Sequence, residues 1–136
     1  MKPIRYSVVL VLMSLVLSGC GGNSDSAPTA TAIPAPTTSL TGVVIASGYL
    51  QGATVCLDKN SNLLCEPSEP QAVTNTQGQY TLKNILTSDS VNFAVIATVP
   101  VGAIDSNLPN EFISDTYTLT TPIGKSSVIS PITTLV

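Results

Sequence analysis

The sequence predicts an all-β fold, a small antiparallel β-sandwich that follows a signal peptide and a disordered linker. After Ser39 the chain consists of short runs rich in Val, Ile, Thr and Tyr, which Gly, Asn and Pro interrupt about every ten residues. β-branched residues dominate the apolar positions, and no window of about twelve residues beyond the signal has the period of an amphipathic helix. Short strands at this spacing are typical of β-sandwiches.

The strand signals divide the chain in order. We expect strands at residues 40–46, 53–58, 71–75, 79–82, 92–99 and 113–119, and a further short strand at 127–129. A tight turn at Asn75-Thr76-Gln77-Gly78 joins two of them, because Gly78 tolerates a backbone conformation that a Cβ atom penalises. The connection at 102–110 contains several turn formers. It is the best candidate for a surface-recognition loop, although a solvated connection is the simpler interpretation.

Length and composition limit the function. The chain has 136 residues, enough for one domain, and five basic against eight acidic residues give it a net charge of -3. Nucleic acid is therefore not an expected partner, because binding its phosphates needs a basic surface. The chain has no histidine, which excludes Ser-His-Asp and Cys-His catalysis and histidine metal sites. We expect that the part of the protein in this chain is not an enzyme.

The N-terminus has the three parts of a secretory signal. Two basic residues precede an apolar run at 7–17, and a segment of small residues ends at Cys20. The run has about eleven residues, fewer than the roughly 20 that a permanent transmembrane helix needs. The tetrapeptide Leu17-Ser18-Gly19-Cys20 resembles the lipobox of bacterial lipoproteins, in which the cysteine receives a diacylglycerol and becomes the new N-terminus. The resemblance implies that 1–19 is a cleaved signal peptide and that Cys20 is a lipid anchor carrying acyl chains such as palmitate.

The lipobox resemblance also implies a destination. Gly21 follows Cys20, in place of the aspartate that favours inner-membrane retention in enterobacterial lipoproteins. In a Gram-negative host the expected location is therefore the outer membrane, with the protein facing the periplasm or the cell surface and the membrane as its partner. The alternative is an ordinary secretory signal with an unrelated cysteine. Residues 20–38 form the lipidated cysteine and a flexible tether rich in Gly, Ser, Ala, Pro and Thr.

The most informative segment is the 58–69 loop, because its oxygen-bearing residues match the spacing of calcium ligands in an EF-hand. The expected ligands of this calcium ion are Asp58, Asn60, Asn62, the Leu64 carbonyl, Glu66 and Glu69. Against this hypothesis, Leu63 occupies the sixth position, where an EF-hand has glycine for a sharp turn. The alternative is a polar, turn-rich connection that holds no metal.

Two cysteines remain once Cys20 is assigned to lipid. Cys56 lies in a predicted strand and Cys65 in the 58–69 loop, in a chain whose signal directs it to an oxidising compartment. We therefore expect a disulfide between Cys56 and Cys65, with free thiols as the alternative. Two cysteines without histidine make a poor zinc site, and a catalytic thiol would lack its base.

The segments around the 58–69 loop resemble a known family. They are Gly42-Val43-Val44, Gly48-Tyr49-Leu50-Gln51-Gly52-Ala53-Thr54-Val55-Cys56-Leu57-Asp58, the loop closing on Glu69-Pro70, and Thr74-Asn75-Thr76-Gln77-Gly78-Gln79-Tyr80-Thr81-Leu82. This pattern is similar to the carboxypeptidase regulatory-like or prealbumin-like modules of bacterial surface proteins and to the B-type repeats of serine-aspartate adhesins. The resemblance implies a transthyretin-like or immunoglobulin-like sandwich at 39–122 that acts as a spacer or binding module. We expect protein or carbohydrate as its ligand.

The C-terminal segment Ser130-Pro131-Ile132-Thr133-Thr134-Leu135-Val136 is similar to a stretch that leads into further sequence in large bacterial lipoproteins. The resemblance implies that 123–136 begins a further region and that the chain is truncated. The alternative is a genuine C-terminal edge strand. Two functions follow: a membrane-anchored extracytoplasmic lipoprotein with a structural or ligand-binding module, or the N-terminal accessory domain of a larger secreted enzyme whose catalytic part lies beyond residue 136.

Overall fold

The computed structural model describes residues 32–136, so the signal peptide, Cys20 and most of the predicted tether lie outside the described residues. Residues Ile33–Val136 form one compact unit of mostly antiparallel strands with few helices, which confirms the all-β class. The elements are β1 (Thr37–Val44), β2 (Leu50–Gln51), β3 (Thr54–Asp58), β4 (Gln71–Val73), β5 (Gln79–Leu86), α1 (Thr87–Asn92), β6 (Ala94–Val99), β7 (Ile104–Asp105), β8 (Tyr117–Thr120), β9 (Val128–Ile129) and α2 (Pro131–Thr134).

The strands form two main sheets and one short pair. One sheet has the order β5-β1-β9, the larger one has the order β4-β3-β6-β8, and β2 pairs with β7. All pairings are antiparallel except that of β1 with β9, which is parallel at Val43 and Val44. Apolar side chains from both sheets share one core, as expected for a sandwich. Its members include Val44, Val55, Leu57, Leu82, Ile85, Val95, Ala97, Val99, Leu119 and Ile129.

A β-bulge in β5 keeps its apolar residues in this core. The register with β1 shifts between Thr38 and Leu40, so that Leu82 and Ile85 both face inward although three positions separate them. Asn84, inside the bulge, has φ of 58°. Asparagine is among the residues that tolerate this left-handed region. Strict alternation after Leu82 would turn Asn84 inward and Ile85 outward. The extra residue of the bulge turns Ile85 inward instead.

Several boundaries differ from the prediction for local reasons. β1 begins at Thr37, two residues inside the segment predicted as tether, and β9 adds residues beyond 122 to the same sheet as β1. α1 was not predicted, because a six-residue helix without a buried side chain leaves no apolar period in the sequence. The 102–110 segment, predicted as a loop, contains β7, and the predicted strand at 113–119 begins only at Tyr117.

The edge of the larger sheet at β8 is covered by α2. Thr134 Oγ1 accepts a hydrogen bond from the Thr120 amide at 3.0 Å, and Thr133 Oγ1 donates one to the Thr120 carbonyl at 2.9 Å. Ser130 caps this helix, because its hydroxyl accepts from the Thr133 amide at 3.2 Å. The segment at 123–136 therefore packs on the sandwich. Within residues 32–136, no helix has the length and apolar character to span a bilayer.

Candidate functional site: the disulfide-braced 58–69 loop

The predicted disulfide between Cys56 and Cys65 is present, with the two Cα atoms 5.6 Å apart. Cys56 alternates with the core residue Leu57, so its side chain points to the outer face of the larger sheet. It is nevertheless fully buried, as is its register partner Ile96 on β6. The 58–69 loop therefore folds back against the outer face of β3, which agrees with the Cys65 sulfur lying 3.7 Å from the Thr54 carbonyl.

Two buried carboxylates hold the ends of this loop. Asp58 accepts hydrogen bonds from the amides of Asn62 at 3.1 Å and Leu63 at 3.0 Å. Glu69 accepts from the amides of Lys59 at 2.8 Å and Glu66 at 3.3 Å. Since each carboxylate satisfies two backbone N–H groups, both are partnered despite their burial.

The middle of the loop is held by amide side chains. Asn60 and Asn62 donate their side-chain N–H groups to the two oxygens of Glu66, at 2.8 and 3.2 Å. Their side-chain oxygens accept from backbone amides two positions on, with the Asn62 oxygen 2.9 Å from the Leu64 amide. These are Asx turns, which fix the backbone without any second element. The shape of the loop therefore comes from its own hydrogen bonds and the disulfide.

The loop contains unusual backbone conformations. Ser61 has φ of 58° and Leu63 has φ of 60°, in the left-handed region that β-carbons disfavour. Leu63 stands at the sixth position, where the sequence comparison with an EF-hand expected glycine. The chain forms this turn without a glycine, and the turn leaves Leu63 and Leu64 exposed beside Cys65.

These positions do not make a preformed calcium cage. Among residues 32–136, no group of three or more His, Cys, Asp and Glu side chains lies close enough to hold a metal ion. The carboxylates of Asp58, Glu66 and Glu69 each accept hydrogen bonds from N–H groups of the loop instead of converging on one point. Leu64, whose carbonyl is the fourth of the six predicted ligands, is an exposed residue. Calcium would have to rearrange these contacts, and its binding stays a prediction.

An ion pair connects the loop to α1. Lys59 Nζ lies 2.8 Å from an Asp89 carboxylate oxygen on the helix. A partly exposed pair of this kind contributes about 1 kcal/mol or less. The ion pair matters mainly because it places the start of the loop beside α1.

A second candidate site lies in the segment between β6 and β8. A cleft of about 350 Å³ is lined by Asp105, Leu108, Glu111, Phe112, Ile113, Ser114, Asp115 and Tyr117. Phe112 is 68% exposed there and presents an aromatic face to solvent. The sequence had indicated only the 102–110 part of this segment as a recognition loop. Phe112 itself was missed, because a single aromatic residue gives no periodic signal.

Asp105 organises the wall of this cleft. Its carboxylate accepts from the Ser47 hydroxyl at 2.8 Å, the Ser47 amide at 3.2 Å and the Asn107 amide at 2.9 Å. Burial by itself raises the pKa of Asp105, but these hydrogen bonds and one from Gly48 outweigh it and lower the pKa below its usual value. Burial, with the nearby charge of Asp105 as a further cause, raises the pKa of Tyr117.

The six predicted calcium residues lie in one loop, which the Cys56–Cys65 disulfide joins to β3, whereas Cys20 lies outside the described residues. No family model matches the chain, and no curated protein or solved structure matches it significantly. The class that the fold and site define is therefore a disulfide-braced, all-β domain. The resemblance to prealbumin-like modules and to bacterial lipoproteins stays a prediction.

Proposed function

We propose that this protein is a membrane-anchored extracytoplasmic lipoprotein whose β-sandwich is a non-catalytic structural or ligand-binding module. The observation that carries the proposal is the Cys56–Cys65 disulfide inside a self-supporting loop. A structural disulfide of this kind persists in oxidising compartments. It therefore supports the export that the N-terminal signal predicts, independently of the signal itself. The proposed location is the outer membrane, facing the periplasm or the cell surface.

The finer fold assignment is part of the proposal. A three-stranded sheet packed on a four-stranded sheet agrees with a transthyretin-like or immunoglobulin-like module. The parallel pairing of β1 with β9 at one edge is the feature that such an assignment must accommodate.

The non-catalytic role is supported by how the buried acids are used. Asp58, Glu69 and Asp105 all accept hydrogen bonds from backbone amides. In the described part of the chain, no buried side-chain nitrogen or oxygen lacks a partner. A poised acid, base or nucleophile usually sits in a cleft with a free polar atom aimed at the substrate. These carboxylates instead stabilise the turns.

Lipid anchoring is tested by metabolic labelling with a palmitate analogue. The wild-type chain should carry the label and fractionate with membranes, and Cys20→Ala should do neither. Cys65→Ala is the matched control, since it removes a different cysteine and should keep both the label and the membrane fraction. A Cys20→Ala protein that still carries label would contradict the anchor.

The ligand part of the proposal places binding at the Phe112 cleft, because aromatic rings beside carboxylates offer both a stacking face and hydrogen-bond acceptors. A glycan array with the purified mature chain tests carbohydrate binding. Phe112→Ala should abolish any specific signal. Val101→Ala, an exposed apolar residue outside the lining of that cleft, should leave the signal unchanged.

The calcium hypothesis is tested by calorimetric titration at millimolar calcium. Binding should release heat and raise the melting temperature, and Glu66→Gln should remove both effects. Asp115→Asn, which changes an exposed acid that has no contact with the loop, is the control. Absence of heat and of a thermal shift would remove calcium and leave the disulfide and the hydrogen bonds as the supports of the loop.

The alternative function, an accessory domain of a larger secreted enzyme, has one supporting observation. Ile132, Leu135 and Val136 are exposed apolar residues at and beyond α2, and a further domain would cover them. The genomic sequence downstream of Val136 tests this alternative directly.

A further inference from the structure

The segment between β6 and β8 holds Phe112 in a short hairpin. The Gly102 amide donates to the Ile113 carbonyl at 2.9 Å, and the Ile113 amide donates to the Ala103 carbonyl at 3.0 Å. Ile104 and Phe112 form an antiparallel bridge beside these two bonds. The backbone that carries Phe112 is therefore held in place by the domain itself.

The side chains of Phe112 and Ile113 have different surroundings. Successive side chains of an extended segment point to opposite sides. Ile113 packs against the hydrophobic core, whereas Phe112 is exposed in the cleft. The core therefore does not account for an aromatic ring at Phe112. A ring on a fixed backbone offers a stacking face whose use by a ligand costs little ordering.

Two carboxylates in the same cleft carry charge that is available to a ligand. Glu111 and Asp115 both line the cleft, and both are exposed. Within residues 32–136 the one ion pair joins the 58–69 loop to α1, so no lysine forms an ion pair with either carboxylate. One oxygen of Asp115 accepts a hydrogen bond from the hydroxyl of its neighbour Ser114 at 2.9 Å. A cation in the cleft would therefore displace no existing ion pair.

A third carboxylate, Asp105, adds negative potential without offering a contact. Its oxygens accept hydrogen bonds from Ser47 and Asn107. Burial raises the pKa of Asp105, but these hydrogen bonds outweigh burial and bring the pKa below its usual value, so the group is charged at neutral pH. Its charge reaches the cleft, because after burial it is a further cause of the raised pKa of Tyr117.

The polar groups of the cleft are mostly hydrogen-bond acceptors. The lining consists of three carboxylates, the hydroxyls of Ser114 and Tyr117, and apolar side chains, so that only the two hydroxyls can donate. A sugar hydroxyl both donates and accepts, whereas a guanidinium has five N–H donors and no acceptor. The flat guanidinium also stacks on aromatic rings, which the compact ammonium of lysine does less well. An arginine side chain therefore matches this lining better than a sugar does.

We propose that the Phe112 cleft binds an arginine side chain presented by an exposed segment of a partner protein. The guanidinium stacks on the ring of Phe112 and donates to Glu111 and Asp115, so that cation–π attraction and charge-assisted hydrogen bonds act together. The cleft volume of about 350 Å³ lies near the lower end of the roughly 300–1,000 Å³ range of ligand pockets. This size suits one side chain with its adjoining backbone.

The negative potential also selects a protein segment over the free amino acid. Free arginine carries an α-carboxylate, which the acids of the cleft would repel. In a protein chain the same carbon belongs to a neutral amide. The inference rests on the proposed ligand-binding role of the Phe112 cleft, and it selects protein over carbohydrate as the ligand.

An amide NMR titration of the labelled mature chain tests the inference. The probe is the peptide Gly-Ser-Arg-Ser-Gly with both ends blocked, and the matched peptide has citrulline, which keeps the shape of arginine without its charge. The amides of Glu111, Phe112 and Asp115 should shift with the arginine peptide, and those of the 58–69 loop should not. We expect the citrulline peptide and free arginine to bind about tenfold more weakly or worse. Sodium chloride at about 1 M should also weaken the binding of the arginine peptide.

Substitutions separate the contribution of the ring from that of the charges. Phe112→Leu keeps an apolar side chain but removes the aromatic face, and Glu111→Gln and Asp115→Asn each remove one charge. Each should weaken the binding of the arginine peptide by about threefold or more. Asp89→Asn removes the same charge from α1, outside the lining, and should leave the affinity unchanged. Melting curves of the three cleft variants should match the wild type, because these positions are exposed.

The outcomes distinguish the inference from the proposed function. Equal affinity for the arginine and citrulline peptides would contradict a guanidinium site. Glycan binding that Phe112→Ala abolishes, without binding of the arginine peptide, would overturn the inference and leave the ligand-binding role of the cleft intact. A cleft that responds to neither glycans nor the arginine peptide would overturn both.

Discussion

The carboxylate of Asp58 lies 3.0 Å from the backbone amide of Leu63, and this contact helps to hold a leucine at φ of 60°. The same carboxylate accepts from Asn62 at 3.1 Å, so that one buried acid caps two consecutive amides of a tight turn. The spacing that suggested a calcium ligand thus serves an anion-to-amide contact. Two charge-assisted hydrogen bonds offset a backbone conformation that costs about 1–2 kcal/mol for a residue with a Cβ atom.

Leu63→Gly should stabilise the domain. Glycine removes the cost of the left-handed conformation, about 1–2 kcal/mol. Against this, glycine raises the conformational entropy of the unfolded chain, which lowers stability by about 0.5–1 kcal/mol. The side chain of Leu63 is half exposed, so little burial is lost. We expect the free energy of unfolding to rise by about 0.5–1 kcal/mol, measured by urea denaturation.

Leu64→Gly is the matched control for this substitution. Leu64 is the same residue type with similar exposure, but it is not in the left-handed region. There glycine should destabilise by about 0.5–1 kcal/mol, because only the entropic cost remains. Equal effects of the two substitutions would show that the backbone conformation of Leu63 carries no strain.

Removal of the disulfide should destabilise the domain without unfolding its core. Cys65→Ala should lower the free energy of unfolding by about 2–3 kcal/mol, because a short closed loop restricts the unfolded chain. Cys56 keeps its place as a buried thiol in the variant. Wild-type protein in reductant should melt like Cys65→Ala, and identical melting of oxidised wild type and variant would contradict a stabilising bond.

The 58–69 loop shows which parts of the candidate site the sequence predicts. The disulfide was predictable, because an even pair of cysteines in a chain with a predicted export signal has few other uses. The roles of Asp58 and Glu69 were not, since oxygen atoms at this spacing suit either a metal ion or backbone amides. The link between Asp105 and Ser47 was equally hidden, because the two residues are separated by 58 positions and only the pairing of β2 with β7 brings them together.

The fold was predictable where short apolar runs lie between turn residues. β3 and β6 lie within the strands predicted at 53–58 and 92–99, and the Gly78 turn has the expected positive φ of 66°. α1 and the parallel contact of β9 were not predictable. A helix of six residues without a buried face has no periodic signal, and register between distant strands depends on packing that local sequence does not encode.

The pH dependence of stability should report on Asp105. Hydrogen bonds outweigh burial and lower its folded pKa below the unfolded value of about 3.9. Its contribution is therefore complete above the unfolded pKa and is lost as pH falls through the folded pKa. In urea denaturation between about pH 7 and pH 2.5, the stability difference between wild type and Asp105→Asn should be constant at high pH and shrink below about pH 4. A difference independent of pH would contradict a lowered pKa.

Gly42 is required because neighbouring backbone approaches it closely, and not because of a positive φ. It lies on β1, where a Cβ atom would overlap the Ser126 carbonyl and approach the Tyr80 hydroxyl at 2.8 Å and the Ser127 carbonyl at 2.9 Å. The Tyr80 hydroxyl donates to that same Ser126 carbonyl, so the backbone leading into β9 is held against the strand. Neither carbonyl can yield without breaking the parallel pairing with β9.

Gly42→Ala should therefore destabilise the domain by about 1–3 kcal/mol or more through overpacking. Gly52→Ala is the control, because Gly52 has φ of 84° but nothing within 4 Å of its added Cβ atom. It should cost only the conformational strain, about 1–2 kcal/mol, and leave the β9 contact intact. Amide hydrogen exchange separates the two effects: the amides of Val43 and Ile45, which donate to the Ser127 and Ile129 carbonyls, should lose protection in Gly42→Ala and keep it in Gly52→Ala. Retained protection in both variants would contradict the tight approach of β9 to Gly42.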